Sequence, residues 1–513
     1  MPCRAQSRHA VNNILAAKGF AVEGSAALTF SWTQAETDST TYATSLYTGE
    51  SITNRFADAD INFWLDEAEQ ITYLTRSDWE GTWPTTVVLT ASDTLKSALN
   101  DKKKYENGKY NDSAARITPQ EVRTSDGSKV LSVMMMKDRA FDDPYWEELL
   151  DNMTVEELVT LVANGRYYIN AVPSLSFVSS TGSDSPVGLD TAYVYRKTGA
   201  NKEAIGTSYL VSDGITADTV ELTALVAAMF PSEPVMASTF NKELAYEEGV
   251  MMGEDGLYCN TSFIWGLGAN LHRTPYGGRA SEYYSADPVL NSLMGAQEAS
   301  GAWKMGQVLV VKHFAVNEQE QNRIGVATYL TEQNLRENML RGFEGIMTYG
   351  EAKGLMGSYN RLGILNTAAE YDLMTTVLRK EWGSDCYVIT DLNSPTAGLY
   401  DGNAIIAAGT TMIMNNGTFD AGSGSYVNTT LSAESVRNDP VLLTAMRNAA
   451  HYDLYVFVNS AAMNGQSATD RIETVTPWWQ PTLLGLEIGF GALALLFAVL
   501  YLVNVNKKEG ETK

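Results

Sequence analysis

Between about residue 144 and residue 465 the chain alternates short runs rich in β-branched and aromatic residues with longer segments of helical character. The short runs predict strands over residues 263–265, 307–311, 354–358 and 387–390, and the longer ones predict helices over 241–252, 290–304, 331–350 and 371–380. Such alternation over about 320 residues predicts an α/β fold, either a (β/α)8 barrel or a doubly wound sheet. The polar positions decide between them, because a barrel carries its reactive groups at the C-terminal ends of several strands. Lys312 and His313 follow the run VLVV, Tyr359 follows GLMGS, and Asp391 follows YVIT. Three predicted strands thus each end in a reactive side chain, and a (β/α)8 TIM-type barrel is the expected fold.

A second pattern lies at the C-terminus. Residues 483–503 are nearly all apolar, and as a helix they reach about 30 Å, the thickness of a bilayer's hydrocarbon core. Trp478 and Trp479 precede this run, Tyr501 lies near its end, and Lys507 and Lys508 follow it. Aromatic flanks and trailing cations predict a single transmembrane helix with residues 504–513 as a cytoplasmic tail and the large body outside the cell membrane. Glu487, the one charge in the run, sits near the outer end within reach of the interface, and Gly485 with Gly489 makes a weak GxxxG helix-packing signal. The opening residues, MPCRAQSRHAVNNILAAKGF, contain no apolar stretch after the charges. An exported body without a leader suggests either that the C-terminal span itself directs insertion or, as the preferred reading, an N-terminally shortened form of something longer.

Composition narrows the chemistry. Thirty-seven basic against 61 acidic residues give a net charge of −24, which excludes a polyanionic partner such as nucleic acid, since phosphate binding needs clustered Lys and Arg. Cys3, Cys259 and Cys386 are far apart, and His9, His272, His313 and His451 are equally dispersed. Neither set has metal-ligand spacing, so no metal and no cofactor is expected and carboxylates should carry the chemistry.

Five separate motifs, in order, resemble the catalytic barrel of glycoside hydrolase family 3, typified by β-glucosidases. PSEPVMASTFNKELAYEEGVMMGED from Pro231 is similar to the family's early barrel segment, NLHRTPYGGRASEYYSADP from Asn270 to its arginine loop, and KHFAVNEQEQNR from Lys312 to its lysine–histidine loop. GSYNRL from Gly357 and EWGSDCYVITD from Glu381 complete the set. The resemblance implies that Asp391 is a nucleophile forming a covalent glycosyl intermediate. It further implies that Asp184 holds sugar hydroxyls and that Arg279, Lys312, His313, Arg323 and Tyr359 line the same subsite. These residue types fit a sugar subsite, since a carboxylate accepts from paired hydroxyls, while Arg and Lys donate to others and lower the pKa of Asp391. Glu282 is expected to brace the arginine loop rather than to react.

The chain departs from the family pattern at Asp184-Ser185-Pro186, where a glycine usually follows the acid, at Asp190, where an arginine is common, and at Leu392, where a tryptophan usually follows the nucleophile. The KHFPGHG form of the family's N-acetylglucosaminidases is also missing, which argues against that branch. Retention needs a second carboxyl about 5 Å from the nucleophile to act as acid and base. The family commonly takes it from a sandwich domain after the barrel, whereas here the apolar run follows almost at once. The chain therefore resembles a rearranged subgroup with the sandwich first. On this reading residues 1–126 are its remnant and a connector, residues 127–470 the barrel, and residues 483–503 the membrane helix. Within the remnant, ITYLTRSDWEGTWPT places Trp79, Glu80 and Trp83 together, a sugar-site rim or, on the plainer reading, a connector packed on the barrel; Glu80 is not assigned as the acid, whose identity is unknown. The expected function is an exo-acting, retaining hydrolase of terminal nonreducing β-linked sugars, foremost β-D-glucosyl residues, with an oligosaccharide or glycoside as substrate. The alternative is a truncated, catalytically impaired barrel that binds saccharide. Sugar, linkage and oligomeric state are not legible.

Overall fold

The computed structural model describes residues 43–73, 88, 90–101, 113–165, 167–189, 228–392, 401–414, 418–420, 425–427, 431–472 and 478–510. It divides into two units, Met1–Asp470 and Arg471–Lys513.

The first unit is built on a six-stranded sheet of β1 (Tyr168–Ile169), β2 (Ser180–Asp184), β3 (Thr261–Trp265), β4 (Val308–Phe314), β5 (Gly354–Gly357) and β6 (Tyr387–Ile389), hydrogen-bonded in that order. β1 and β2 are antiparallel and all later neighbours are parallel. Every residue of β3, β4, β5 and β6 is buried, as a parallel sheet covered on both faces requires. Beyond β6 the ladder continues: Thr411 N–H donates to Val388 O at 2.9 Å and Thr390 N–H to Met412 O at 3.0 Å. Ile413 N–H then reaches Val162 O at 2.8 Å, Gly165 N–H reaches Ile413 O at 2.9 Å, and Gly182 N–H reaches Tyr167 O at 2.8 Å. These bonds extend a six-stranded, TIM-like half-barrel sheet, where eight strands were expected, among the described residues.

Helices α1 (Val155–Ala163), α2 (Lys242–Cys259), α3 (Pro288–Lys304), α4 (Arg341–Thr348), α5 (Gly402–Ala408) and α6 (Pro440–Val458) belong to the same unit. Their starts are written in the sequence. Asn241, Asp287, Asp401 and Asp439 each accept two of the first N–H groups of α2, α3, α5 and α6, and Pro288 and Pro440 open α3 and α6. Thr154 and Glu157 close a reciprocal capping box on α1. Helices α2 and α3 meet through glycine: a Cβ on Gly249 would lie 2.0 Å from Glu298 O, and one on Gly301 would lie 2.1 Å from Tyr246 O.

Five expectations shift in register or type. The strand expected over 307–311 runs on to Phe314, so Lys312 and His313 lie within its last residues instead of after it. Helices expected over 241–252 and 290–304 extend to Cys259 and start at Pro288. The helix expected over 331–350 is broken into Glu332–Asn334, a π-turn at Leu335–Met339, and α4, while residues Asp372–Glu381 wind as a π-helix. Apolar spacing marks a buried helical face but does not separate i→i+4 from i→i+5 bonding. β2 escapes the pattern altogether because STGSD has no large apolar side chain; Gly182 sits where a Cβ would be 1.9 Å from the Phe263 ring of β3.

Described residues between 56 and 98 are packed into the same unit. Phe56 and Ala59 join the main core, and Trp64, Leu95 and Ala98 form a smaller cluster with Ile364 and Leu365. The second unit contains helix α7 (Trp479–Gly510), whose residues Trp479–Leu502 have a mean hydropathy of 2.3 and are long and apolar enough to cross a membrane.

The backbone contact between α2 and α3 leaves no room for a branched side chain. Gly249→Val and Gly301→Val should each cost about 1–3 kcal/mol or more through overpacking, read as a lowered melting temperature of the full chain. An unchanged melting temperature in both variants would contradict the packing described.

Candidate active site

Four strand ends and two loops converge on one place. Asp184 is the last residue of β2, Lys312 and His313 lie near the end of β4, Tyr359 comes two residues after β5, and Asp391 two residues after β6. Arg279 lies on the loop between β3 and α3, and Arg323 on the loop after β4. All seven residues singled out in the sequence are linked by contact or by charge.

Lys312 is the crossing piece. Its side chain is 4% exposed, and Nζ donates to Asp184 Oδ1 at 2.8 Å and to the Trp265 carbonyl at 2.5 Å. A buried ammonium needs such acceptors, so β2, β3 and β4 are tied together at their C-terminal ends. The Asp184 side chain remains 41% exposed, which leaves part of its carboxylate open to hydroxyl donors. In the turn that follows, where a glycine was expected, the Ser185 hydroxyl accepts from Val187 N–H at 3.0 Å. A side-chain bond there does the local work of closing the turn.

His313 is held by both ring nitrogens. Arg279 Nη1 lies 2.9 Å from Nε2 and the Tyr283 hydroxyl 3.1 Å from Nδ1. A guanidinium only donates, so Nε2 accepts and the ring proton is assigned to Nδ1, facing the Tyr283 oxygen. Burial, with the charges of Arg279, Lys312 and Arg323, holds the imidazole well below its ordinary pKa. His313 is therefore neutral, and its 3.7 Å approach from Nε2 to Asp391 Oδ2 is neither an ion pair nor a hydrogen bond.

Asp391 has a 14% exposed side chain. Its Oδ1 accepts the Leu392 N–H at 2.7 Å, and Tyr359 is hydrogen-bonded to the carboxylate. Arg323 lies 5.0 Å from the centre of the Tyr359 ring, at which distance the cation and the ring face attract. Burial pushes the Asp391 pKa up to about 6, and the Leu392 N–H, Arg323, Arg279 and Lys312 oppose that rise. The expectation that the cations hold this carboxyl below its ordinary value is thus corrected: desolvation is the larger effect, and the cations only limit it.

Several residues of this site were not found by sequence reasoning. Tyr283 stands between His313 and Asn317, whose Nδ2 lies 2.9 Å from the same hydroxyl. Asn270 Oδ1 accepts the His313 N–H at 2.7 Å. Glu320 binds Arg323 at 3.0 Å and Asn317 at 3.1 Å. Glu233 accepts the N–H groups of Leu267 and Gly268 at 3.1 and 2.9 Å, fixing the turn after β3. Tyr283, Asn270, Glu320 and Glu233 all lie inside motifs noted above, but no spacing rule singles them out. Glu282 is ion-paired with Arg279, in keeping with a bracing role, and Leu392 is exposed beside Asp391. Trp79, Glu80, Trp83 and Asp190 lie outside the described residues. Among the described residues no cluster of His, Cys, Asp or Glu could hold a metal ion.

Residues 187–414 match the family model "Glycosyl hydrolase family 3 N terminal domain". The match contains six of the seven site residues and begins three residues after Asp184. A beta-glucosidase of Ruminococcus albus is 38% identical over 165 residues, which are 32% of this chain and 17% of that protein. An exo-alpha-(1->6)-L-arabinopyranosidase of Bifidobacterium longum is 32% identical over 241 residues, 47% of this chain and 29% of that protein. Among solved structures, a beta-glucosidase from Paenibacillus barengoltzii superposes with a TM-score of 0.56 at 24% identity, over 71% of this chain and 38% of that one. Beta-glucosidase 3B from Thermotoga neapolitana, in complex with glycerol, superposes with a TM-score of 0.50 at 27% identity, over 64% and 44% respectively. The chain spans less than half the length of each of these relatives.

The charge balance at Asp391 can be read directly. A carboxyl carbon signal assigned by its loss in Asp391→Asn should titrate near pH 6, and Arg323→Gln should move that midpoint upward by about one unit, because a nearby cation favours the charged form. A midpoint near 4, or one that Arg323→Gln leaves in place, would refute this account.

Proposed function

The chain carries a glycoside hydrolase family 3 N-terminal domain over residues 187–414, and on that premise we propose that it is an exo-acting, retaining β-glycosidase whose foremost substrates are terminal β-D-glucosyl residues. The observation that carries the reading is the enclosed Asp391 carboxyl, within reach of three cations and hydrogen-bonded to Tyr359. Support for the sugar class comes from relatives described as beta-glucosidases.

In this reading Asp184 accepts from a pair of sugar hydroxyls while Lys312 holds its orientation. Arg279, through His313, and Arg323, through Tyr359, set the wall around the ring. The Asp391 carboxylate attacks the anomeric carbon from the face opposite the leaving group. The glycosidic bond breaks, its oxygen takes a proton, and a glycosyl ester to Asp391 forms; water then cleaves that ester with net retention. Neutral His313 presents an unprotonated Nε2 already engaged by Arg279, which makes it unsuited to protonate the leaving oxygen. Glu282 and Glu320 are each paired with a guanidinium. The acid is therefore left unassigned, and residues 1–126 are read as a sandwich remnant and connector placed before a barrel of residues 127–470. Helix α7 is read as a single-pass anchor with the body outside the cell membrane, its 483–503 core followed by a cytoplasmic tail.

A second reading, a saccharide-binding barrel with impaired turnover, is favoured by the pairing of Glu282 and Glu320 with guanidinium groups, which leaves no second carboxyl assigned as the acid among the described residues.

A 2-fluoro glucoside with an activated leaving group should label Asp391, as mapped by peptide mass spectrometry, because trapping needs the nucleophile and little help from an acid. Labelling elsewhere, or none, would exclude the retaining mechanism through this residue. With an aryl β-glucoside, Asp391→Asn should lower kcat by about a thousandfold or more. Only the ionised carboxylate attacks, so labelling should weaken as pH falls through about 6. If the acid is missing, cellobiose should turn over far more slowly than an aryl glucoside; comparable rates would sink that part of the proposal. The chain should also stay with membranes through an alkaline carbonate wash, and release into the supernatant would argue against the anchor.

A further inference from the structure

The turn that follows β3 is a junction of the candidate site. Trp265, the last residue of β3, gives its carbonyl to Lys312 Nζ at 2.5 Å. Two residues on, the Leu267 carbonyl accepts the Lys312 N–H at 3.2 Å, and Ala269 N–H donates to the Lys312 carbonyl at 2.9 Å. Asn270 then takes the His313 N–H on Oδ1 at 2.7 Å. Residues 265–270 therefore run alongside Lys312 and His313 and hold the backbone of both. The same turn presses on two other parts of the site. A Cβ on Gly266 would collide with the Ser185 carbonyl, in the turn after Asp184, and one on Gly268 would collide with the carbonyl of Glu282, the partner of Arg279. Only glycine lets backbones approach so closely, so a shift of this turn is felt by Asp184, Lys312 and the arginine loop together.

The turn is not at rest by itself. Leu267 has a φ of 75°, a conformation that strains any non-glycine residue and persists only where the surroundings fix it. What fixes it is Glu233, the buried first residue of the short helix Glu233–Ala237 in the stretch PSEPVMAS. Its Oε1 accepts the N–H groups of both Leu267 and Gly268, at 3.1 and 2.9 Å. Without that oxygen two buried donors would be left bare beside a strained residue. The negative charge of Glu233 is not what the turn uses. Its Oε2 is buried without a partner, and an unmet charge there would cost more than an unmet neutral group. Burial and the charge of Glu298 raise the Glu233 carboxyl well above its ordinary range, against the opposing pull of the Gly268 N–H and Lys312. Glu298 is itself held by the Tyr284 hydroxyl, which donates to Oε2 at 2.6 Å. A neutral carboxyl with Oε1 as its carbonyl oxygen satisfies the two N–H groups.

We propose that Glu233 is a positioning residue for the sugar subsite: through one carboxyl oxygen it holds the strained Leu267–Gly268 turn, and through that turn it sets where Lys312, and with it Asp184, stand. Glu233 touches no reacting atom. As a role in sugar binding this rests on the glycosidase reading; as a brace on the turn it does not. An acceptor oxygen is needed at residue 233 and a negative charge is not, so glutamine should serve there and leucine should not.

The test joins amide hydrogen exchange to kinetics on the full chain. In peptides covering residues 265–270 and 308–314, Glu233→Leu should exchange about tenfold faster than the wild type, and Glu233→Gln within about twofold of it. With an aryl β-glucoside, Glu233→Leu should raise KM about tenfold and keep kcat within about threefold, because Asp184 and Lys312 hold the sugar both before and during the reaction; Glu233→Gln should leave both near wild type. Glu233→Asp keeps the carboxyl but withdraws it by one methylene, so it decides the matter if the leucine variant does not fold: exchange and KM should each rise about threefold. If the wild type does not turn over, the hydrolase reading fails, and a glucose affinity about tenfold weaker in Glu233→Leu would still support the positioning role. Wild-type exchange in the leucine and aspartate variants would overturn the proposal. So would faster exchange with unchanged KM or glucose affinity, a glutamine variant that behaves like leucine, or a wild type that neither hydrolyses the glucoside nor binds glucose.

Discussion

The site depends on one buried ammonium. Lys312 is almost wholly enclosed by protein, and an enclosed charge must find acceptors or be neutralised. Its acceptors are the carboxylate that ends β2 and the carbonyl that ends β3. Three strands are thereby held in one relative position at their C-terminal ends, and Asp184, His313 and the loop bearing Arg279 inherit their places from it. A neutral residue at 312 would leave Asp184 without its counter-charge and the end of β3 without a polar contact.

Around that anchor the electrostatics are a contest between burial and charge. Enclosure alone would push the Asp391 carboxyl far up, and the Leu392 N–H and three cations bring it back to about 6. The same cations act on His313 in the opposite sense, joining burial to keep it neutral. One set of charges therefore sustains a carboxylate and suppresses an imidazolium a few ångströms away, which separates the roles the two groups can play.

Much of the site was legible before the fold was known. Lys312, His313, Tyr359 and Asp391 follow or close β-rich runs, and strand ends gather in parallel architectures, so their meeting could be anticipated. Arg279, Arg323 and Asp184 came from resemblance to a family, and the contacts draw them into the same cluster. Tyr283, Asn270, Glu320 and Glu233 were not anticipated. Tyr283, Asn270 and Glu233 act through partners remote in sequence, such as Tyr283 on His313, and pairings of that kind leave no periodic trace, while Glu320 pairs locally with Arg323 and Asn317. β2 was missed for a related reason: its small polar residues, with Gly182 against the Phe263 ring, make sense only beside β3.

By itself the sequence determined the alternating α/β pattern, the helix start at Asn241, the apolar C-terminal helix, and the set of residues able to carry carboxylate chemistry. These are local properties of composition, spacing and capping, and neighbours along the chain suffice to set them. Only the tertiary structure decided that Lys312 and His313 lie inside β4, that His313 accepts from Arg279 and stays uncharged, and that Asp391 titrates high. Those outcomes depend on how much water is excluded and on which charges stand within a few ångströms, and both are properties of the packed whole.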